Sequence, residues 1–251
     1  GCQEGRAIEA AGTGTVQITN NVVGTYQKSG IIVRDTVNST ISGNTTAGEG
    51  PTAAIAMNGI TVTSTGTASI TGNYTSGHAY TPESDVSCGI LTFNTATISG
   101  NDSTDDEVGI CAIGGTGSAV TGNTVTHHRQ QGIMVDGATS VLVDNNTIDG
   151  QGGGTTATGG TTPDNDTRYY GIFAVDSTGT LSNNTITGIK HGLLNGTQSG
   201  VGIRLSARAG AASSNMTISG NNISDVQKNA MVITNFYGGT SVNANVTGNT
   251  V

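Results

Sequence analysis

Two short runs of charged residues occupy matching places in neighbouring parts of the sequence. Residues 105–107 read Asp-Asp-Glu, residues 127–129 read His-His-Arg, and His78 lies 28 residues before Asp106. Imidazole and carboxylate groups together can bind a divalent metal or carry out acid–base chemistry. We therefore consider His78, Asp106 and His128 as a candidate metal site. The alternative is a surface ladder of opposite charges that keeps neighbouring segments in register.

These side chains can meet only if the chain repeats, and it does. A phrase made of an apolar residue, a small polar residue, Gly or Asn, and then Asn recurs along the whole sequence, as in Val120-Thr121-Gly122-Asn123. A second phrase, Gly-Ile, recurs as well, and Ile31 precedes Ile41 of the first phrase by ten residues. The first phrase supplies nine asparagines at spacings of 22 to 38 residues: Asn21, Asn44, Asn73, Asn101, Asn123, Asn146, Asn184, Asn221 and Asn249.

The minimal unit of 22 or 23 residues contains three short runs with a period of two and no helical periodicity. Such a unit predicts parallel strands stacked coil on coil in a solenoid. We expect an all-β chain of about nine coils with three short parallel sheets, each coil roughly 4.8 Å above the last. The nine asparagines should stack into a ladder at one corner, in the left-handed conformation that Asn tolerates.

The Asn phrase and the Gly-Ile phrase resemble the right-handed parallel β-helix repeats of the pectate-lyase-like superfamily, over residues 6–251. That superfamily contains lyases, hydrolases, epimerases, tailspikes and adhesins, so the resemblance implies a fold more than a function. It also implies that substrate lies on the outer face of the first strand of each coil, between long insertions. A polysaccharide lyase would carry acidic metal ligands and a Lys or Arg base there. This face offers only Arg34, Asp136 and Arg204, scattered among apolar residues, so we predict no catalytic residues.

The same outer face is otherwise apolar. Either the long insertions after the third strands fold over it, or it is a surface for a partner, since contiguous exposed apolar patches mark interfaces. The residues that would form such an interface are Ile32, Leu91, Phe93, Ile113, Met134, Phe173 and Val175.

The outer face of the second strand carries hydroxyls, for example Thr40 and Ser42, then Thr97 and Ser99. A flat hydroxyl array is similar to those of ice-binding solenoids, and we keep ice binding as a minor alternative. Thr and Ser also suit any exposed strand face. Leu142 interrupts the array.

Composition narrows the possible roles. The chain has 251 residues, a net charge of −8 and only 10% charged residues. An acidic chain does not favour nucleic acid as a partner, and no stretch is apolar enough to span a membrane. Richness in Ser, Thr and Asn with few charges favours an extracellular or cell-surface protein. We expect one domain over residues 1–251, as a segment of a longer solenoid or a subunit of an assembly.

Three cysteines cannot all pair with one another. Aligned coils put Cys111 beside Leu91, so Cys88 lies three residues away along the strand, at an expected Cα separation near 11 Å. A disulfide needs less than about 7 Å. We therefore predict free thiols at Cys88 and Cys111, while Cys2 pairs outside this chain or not at all.

The chain contains eleven Asn-x-Ser/Thr motifs, and a repeat rich in Asn and Thr generates them by chance. Those in the ladder should have occupied side chains. The better glycosylation candidates are those that we place in loops: Asn38, Asn165, Asn195 and Asn215.

No cofactor is indicated, although Ca²⁺ or another divalent metal is possible: residues 164–166, Asp-Asn-Asp, resemble part of a calcium loop but lack its other ligands.

The sequence shows no capping segment at either terminal coil, so neighbouring copies or further solenoid coils are expected at both ends. Carbohydrate is the other candidate partner. We predict a structural or adhesive β-solenoid, within a filament, sheath or surface array. The alternative is a carbohydrate-active enzyme of the pectate-lyase-like type.

Overall fold

The computed structural model describes residues 4–80, 86–151, 169–190, 200–211, 213–237 and 241–251. All regular structure in these residues is β-strand, and we number the strands β1 to β26 along the chain. The first sheet contains β1 (Arg6–Ala10), β4 (Ser29–Val33), β7 (Asn58–Val62), β10 (Cys88–Thr92), β13 (Val108–Ile113), β16 (Gln131–Asp136), β19 (Tyr170–Val175), β22 (Val201–Arg208) and β25 (Asn229–Tyr237).

The second and third sheets follow the same order of coils. The second contains β2 (Thr13–Thr19), β5 (Thr36–Ser42), β8 (Ala68–Thr71), β11 (Ala96–Ser99), β14 (Ala119–Thr121), β17 (Val141–Asp144), β20 (Thr178–Ser182), β23 (Ser214–Ser219) and β26 (Val242–Thr247). The third contains β3 (Val22–Val23), β6 (Thr45–Thr52), β9 (Tyr74–Tyr80), β12 (Asp102–Thr104), β15 (Thr124–Thr126), β18 (Thr147–Asp149), β21 (Thr185–Thr187) and β24 (Asn222–Ile223).

Each strand pairs in parallel with the corresponding strand of the next coil, which confirms the predicted right-handed parallel β-helix of about nine coils. The register follows the repeat, because Ile90 lies beside Ile60 on one side and Ile110 on the other. A slip by one residue would turn the whole inward set of side chains towards solvent, so the alternating pattern fixes this register.

The core is a narrow stack of Ile, Val, Leu and Ala side chains that point inward from all three sheets. Ile31, Ile60, Ile98 and Ile133 are each 0% exposed. Burying one such side chain contributes roughly 1.5–3 kcal/mol. One or two inward residues per strand are enough to fill the coil, which explains how a chain with a low apolar content folds.

The asparagine ladder is continuous through all nine predicted positions. In each step the Nδ2 of one Asn donates to the Oδ1 of the Asn in the next coil, for example Asn123 to Asn146 at 2.9 Å. The prediction of left-handed ladder residues is wrong, because positive φ falls on the residue before each Asn, such as Gly122 at 62°. That residue makes the turn, so the Asn backbone can continue into the third strand.

The Gly-Ile phrase is a bend where two consecutive residues face the interior. A Cβ added to Gly109 would lie 2.5 Å from Cγ1 of inward-facing Val125, and the Ile110 side chain lies in the core. Only glycine allows this close approach of the first and third strands. The strand is therefore not extended through the phrase.

This bend makes the prediction of free thiols wrong. Cys88 and Cys111 form a disulfide with a Cα separation of 6.2 Å. The coil alignment was right, since Leu91 lies beside Cys111. The error was to assume an extended strand from Cys88 to Leu91. With Gly89 and Ile90 both turned inward, Cys88 and Leu91 share the outer face and lie closer together.

Two of the insertions after the third strands begin as strand. β6 and β9 continue past the corner and pair again from Gly50 to Thr52 with His78 to Tyr80, after a register shift. This second pairing lengthens the third sheet on the side that adjoins the first sheet. In the part of the chain that the structure describes, no helix could cross a membrane.

Candidate functional site

A cleft of about 570 Å³ lies on the outer face of the first sheet, in the first four coils. Its floor is built from outward-facing positions of β4, β7 and β10, which pair in register. Ser29 and Asn58 form one column of this floor, and Ile32, Thr61 and Leu91 form the next. The volume is in the range of binding sites for small molecules.

The walls come from the insertions. Residues 54–56 form one wall, and Tyr80 and Val86, on either side of the second insertion, form part of another. Phe93 lies in the lining with 44% of its surface exposed, so it offers an accessible aromatic ring. The insertions were visible in the sequence, but their position as walls depends on the extension of β6 and β9.

Two cationic side chains line the cleft. Arg6 and Lys28 line it, and no carboxylate is among the described residues that do so. Lys28 donates to the Ala56 carbonyl at 2.6 Å, and Arg6 makes an ion pair with Glu9 at 3.0 Å. Arg6 lowers the pKa of Glu9, and Arg34 adds to this effect through its own bond to the same carboxylate. No sequence motif indicated Arg6 or Lys28, because these residues lie in different coils and only the fold brings both to the cleft.

A buried carboxylate fastens the second wall. Glu107 is 0% exposed, and its Oε2 accepts the backbone N–H groups of Tyr80 at 3.0 Å and Ser87 at 3.1 Å. Its other oxygen accepts a bond from Gln130 at 2.8 Å. The two ends of the insertion that carries Tyr80 are thus held by one side chain.

Most of the predicted interface residues are buried inside this chain. Ile32, Leu91, Met134, Phe173 and Val175 are 2–8% exposed, and the last four pack in an outer cluster that includes the disulfide. Phe93 is exposed and Ile113 is partly buried. The apolar outer face is therefore mainly a second core, and Phe93 is its accessible member.

The three polar residues predicted on this face do not form one site. Arg34 pairs with Glu9 at 2.5 Å, and Arg204 donates to the Tyr170 hydroxyl. Asp136 pairs with Arg208, which also binds Asp176 at 2.5 Å. Arg34 and Arg204 each have a partner from the adjacent coil, and the partner of Asp136 comes from two coils away.

The candidate metal residues are buried in the β-helix and do not lie on its surface. His78, Asp106 and His128 are 0–1% exposed, so a surface ladder of opposite charges is wrong for them; only the exposed pair Asp105 and His127, at 3.8 Å, fits that description. The repeat placed them in successive corners correctly. The charge of these residues wrongly suggested that they face solvent.

The structure joins His78 and Asp106 in a hydrogen-bonded network. The Nδ1 of His78 lies 2.7 Å from Asp106, and its Nε2 bonds the Tyr26 hydroxyl. Asp106 accepts three further bonds, from the His78 backbone N–H and from the hydroxyls of Thr75 and Ser103. These bonds involve both ring nitrogens of His78 and both carboxylate oxygens of Asp106.

His128 is not part of this network. Its ring stacks on Tyr169 with centroids 4.9 Å apart, and neither ring nitrogen has a hydrogen-bond partner among the described residues. Burial lowers its pKa to about 3, with the Tyr170 backbone acting weakly in the opposite direction. Within the described ranges, no group of three His, Cys, Asp or Glu residues is arranged to hold a metal. Metal binding by this set stays a prediction.

The glycosylation candidates divide in two groups. Asn38 lies in β5 and Asn215 in β23, so our placement of both in loops is wrong, although both side chains are exposed. A strand face is exposed to solvent on alternate residues, which accounts for this. Asn165, Asn195, Cys2 and residues 164–166 lie outside the described residues.

The hydroxyl columns of the second sheet are in register from coil to coil, with Thr40 beside Ser69 and Thr97 next in the same column. Leu142 interrupts that column, and Asp144 in the neighbouring column binds Ser182 at 2.6 Å. Ice binding stays a minor alternative.

Comparison with known proteins agrees with this architecture. The family model described as "Right handed beta helix region" matches residues 6–206, which is most of the chain. No curated protein and no solved structure matches the chain. The matched residues include the cleft, the disulfide, the first seven strands of the first sheet and most of the eighth, β22. The chain belongs to the right-handed β-helix family.

Proposed function

We propose that the protein is an extracellular β-helix with a structural or adhesive role, and that the cleft on its first sheet binds an acidic saccharide. The observation that carries this proposal is the lining of the cleft, which combines two cations, an exposed aromatic ring and hydroxyl groups. Arg6 and Lys28 suit a carboxylate or sulfate group, since Arg and Lys make charge-assisted hydrogen bonds to anions. A sugar ring has an apolar face that can pack on Phe93.

The electrostatics favour an acidic ligand over a neutral one. The chain as a whole carries a net charge of −8, yet the described lining residues of the cleft that carry a charge are positive. A concave site that concentrates one sign of charge attracts ligands of the opposite sign. The floor adds Thr61 and Asn58 as polar groups, although Asn58 Oδ1 already accepts a bond from the Cys88 backbone.

The disulfide supports the proposed location. Structural disulfides persist in oxidising compartments and are rare in the cytosol. Cys88 and Cys111 are 1% and 0% exposed, which is typical of a structural bond rather than a catalytic one. An uncovered strand edge recruits further strands, so stacking of coils or copies on the outermost strands belongs to the structural role that we propose.

The experiment is isothermal titration calorimetry with a galacturonate trimer and a neutral galactose trimer, at low and high salt. We expect the acidic trimer to bind more tightly and to weaken as salt rises. Lys28→Met should weaken it roughly tenfold or more, since a hydrogen bond between charged groups contributes about 1.5–3 kcal/mol. Phe93→Thr should weaken the binding of both trimers. Threonine fits this position, because Thr63 occupies the equivalent place in the previous coil.

Tyr74→Thr is the matched control, because Tyr74 is a similarly exposed aromatic residue of the third sheet and is not part of the cleft lining. Equal binding of both trimers, or equal effects of Tyr74→Thr and Phe93→Thr, contradicts the proposal. Release of an unsaturated, ultraviolet-absorbing product would favour the carbohydrate-active enzyme instead.

A further inference from the structure

The asparagine ladder contains three motifs for N-linked glycosylation that the folded protein hides. Asn44-Thr45-Thr46 and Asn73-Tyr74-Thr75 both fit Asn-x-Thr, and Asn101-Asp102-Ser103 fits Asn-x-Ser. The side chains of Asn44 and Asn73 are buried in the ladder, and each residue is only 1% exposed. A glycan is bulky and needs a surface position.

The hydrogen bonds of the ladder exclude a glycan for a second reason. Nδ2 of Asn44 donates to the carbonyls of Ile18 at 2.8 Å and Ser42 at 3.2 Å, and to Oδ1 of Asn73 at 2.9 Å. Three acceptors therefore share the two N–H groups of one amide. Nδ2 of Asn73 has the same arrangement, with bonds to Ile41, Thr71 and Asn101.

Glycan transfer removes one of these two hydrogens. The amide nitrogen bonds to the anomeric carbon of a glycan carried on a lipid pyrophosphate, while the anomeric C–O bond breaks. The lipid pyrophosphate leaves with the bonding electrons, and a base on the transferase takes the amide proton. One N–H would then remain for three buried acceptors, and a buried acceptor without a partner is costly.

Six other motifs in the described residues have an exposed asparagine, and Asn38 and Asn215 are two of these. Asn38 and Asn215 lie on the second sheet, each two residues before an outward-facing threonine, Thr40 and Thr217, in one column. Both side chains are exposed. Asn38 uses its Oδ1 to accept two bonds from Thr67, which leaves its amide nitrogen at the surface. The cleft lies on a different sheet, so glycans here would leave it open.

We infer that, in a secretory pathway with N-glycosylation, the folded protein accepts glycans at Asn38 and Asn215 and excludes them from Asn44 and Asn73. Glycan transfer to either ladder residue before folding prevents the ladder from forming. The ladder thus limits the secretion routes that are compatible with this fold, independently of any ligand in the cleft.

The test uses secretion from a yeast host, with site occupancy mapped by glycosidase treatment and mass spectrometry. We expect Asn38 and Asn215 to be occupied in the secreted, folded protein and Asn44 and Asn73 to be unmodified. Ile98→Asp, which places a charge in the core and prevents folding, shows in the retained chains that Asn44 and Asn73 can be modified when unfolded.

A pair of double variants tests the folding block. Thr46→Val with Thr75→Val removes two of the three ladder motifs and keeps their asparagines, and valine already occupies the same inward column at Val23 and Val125. Thr75→Val also removes one bond to Asp106, a cost that the melting temperature of the unglycosylated protein measures. We expect the double variant to raise the secreted yield several-fold. Thr40→Val with Thr217→Val removes the motifs at Asn38 and Asn215 and should leave the yield unchanged. Both proteins are also made in the bacterial periplasm, without glycosylation, to compare their melting temperatures.

Several outcomes overturn the inference. One is a glycan at Asn44 or Asn73 in secreted protein that melts at the temperature of the periplasmic protein. Others are unmodified Asn38 and Asn215 in folded protein, or a ladder-motif variant that is secreted no better than the parent chain.

Discussion

His128 should make the protein less stable in mild acid, and the effect can be assigned to this one ring. Its imidazole is buried in a corner of the coil, stacked on Tyr169, with no hydrogen bond to either nitrogen from the described residues. Burial lowers the pKa of His128 from the ordinary value of 6.5 to about 3. The unfolded chain therefore binds a proton at this position in a pH range where the folded chain does not.

The sign and size of the effect follow from this difference. Above pH 6.5 both states hold a neutral ring, and the ring has no effect on pH dependence. As the pH falls from 6.5 towards 3, protonation favours the unfolded state. The free energy of unfolding should fall gradually near pH 6.5 and by about 1.4 kcal/mol for each pH unit below about 5.5. Between pH 6.5 and 4.5 the loss attributable to His128 should be on the order of 2 kcal/mol.

The assay is urea unfolding at several pH values between 7 and 4. His128→Phe keeps an aromatic ring against Tyr169 and removes the titrating group, so its stability should fall less in acid than that of the parent protein. His127→Asn is the control, because His127 is exposed and has φ 54°, which Asn tolerates. Burial also raises the pKa of Asp102 and of Asp136, but both groups are present in all three proteins. If the parent and His128→Phe lose stability in parallel, the reasoning is wrong.

Two further changes test the bonds between coils. Asn123→Ala removes the side-chain bonds to Ile98 and Asn146. It should lower the free energy of unfolding by about 1–3 kcal/mol in urea titrations. The control Asn245→Ala, at an exposed position, should have little effect, and equal losses would count against the ladder. Replacing Cys88 and Cys111 with Ala opens a loop with a sequence separation of 23 and should cost about 3 kcal/mol. Reductant should destabilise the parent protein by a similar amount and leave the double variant unchanged, whereas an effect on both would refute the assignment.

The fold was predictable because its signals repeat. Nine asparagines, the Gly-Ile phrase and the alternation of inward residues each indicate the same coil, and a register error would turn every apolar residue outward. The register of Ile60, Ile90 and Ile110 follows from this pattern alone. Agreement among local signals is what makes a sequence specify one structure.

The cleft and the disulfide were harder to predict because they depend on departures from the repeat. Cys88 approaches Cys111 only because Gly89 and Ile90 both face inward, and a strict period of two cannot show that. The cleft depends on insertions whose position is set by β6 and β9 as they extend beyond the corner. Arg6 and Lys28 lie in different coils, and only the folded chain brings both to the cleft lining.

The buried polar residues show what stacking demands of a corner position. A residue at such a corner has neighbours in the coils above and below, so a polar side chain can be buried there when those neighbours complement it. Asp106 meets this condition, with His78 on one side and two hydroxyls within reach. His128 occupies the corresponding corner of the next coil and finds an aromatic ring instead of a hydrogen-bond partner. The same repeat therefore produces a satisfied network in one coil and, one coil later, a ring that disfavours its own protonation.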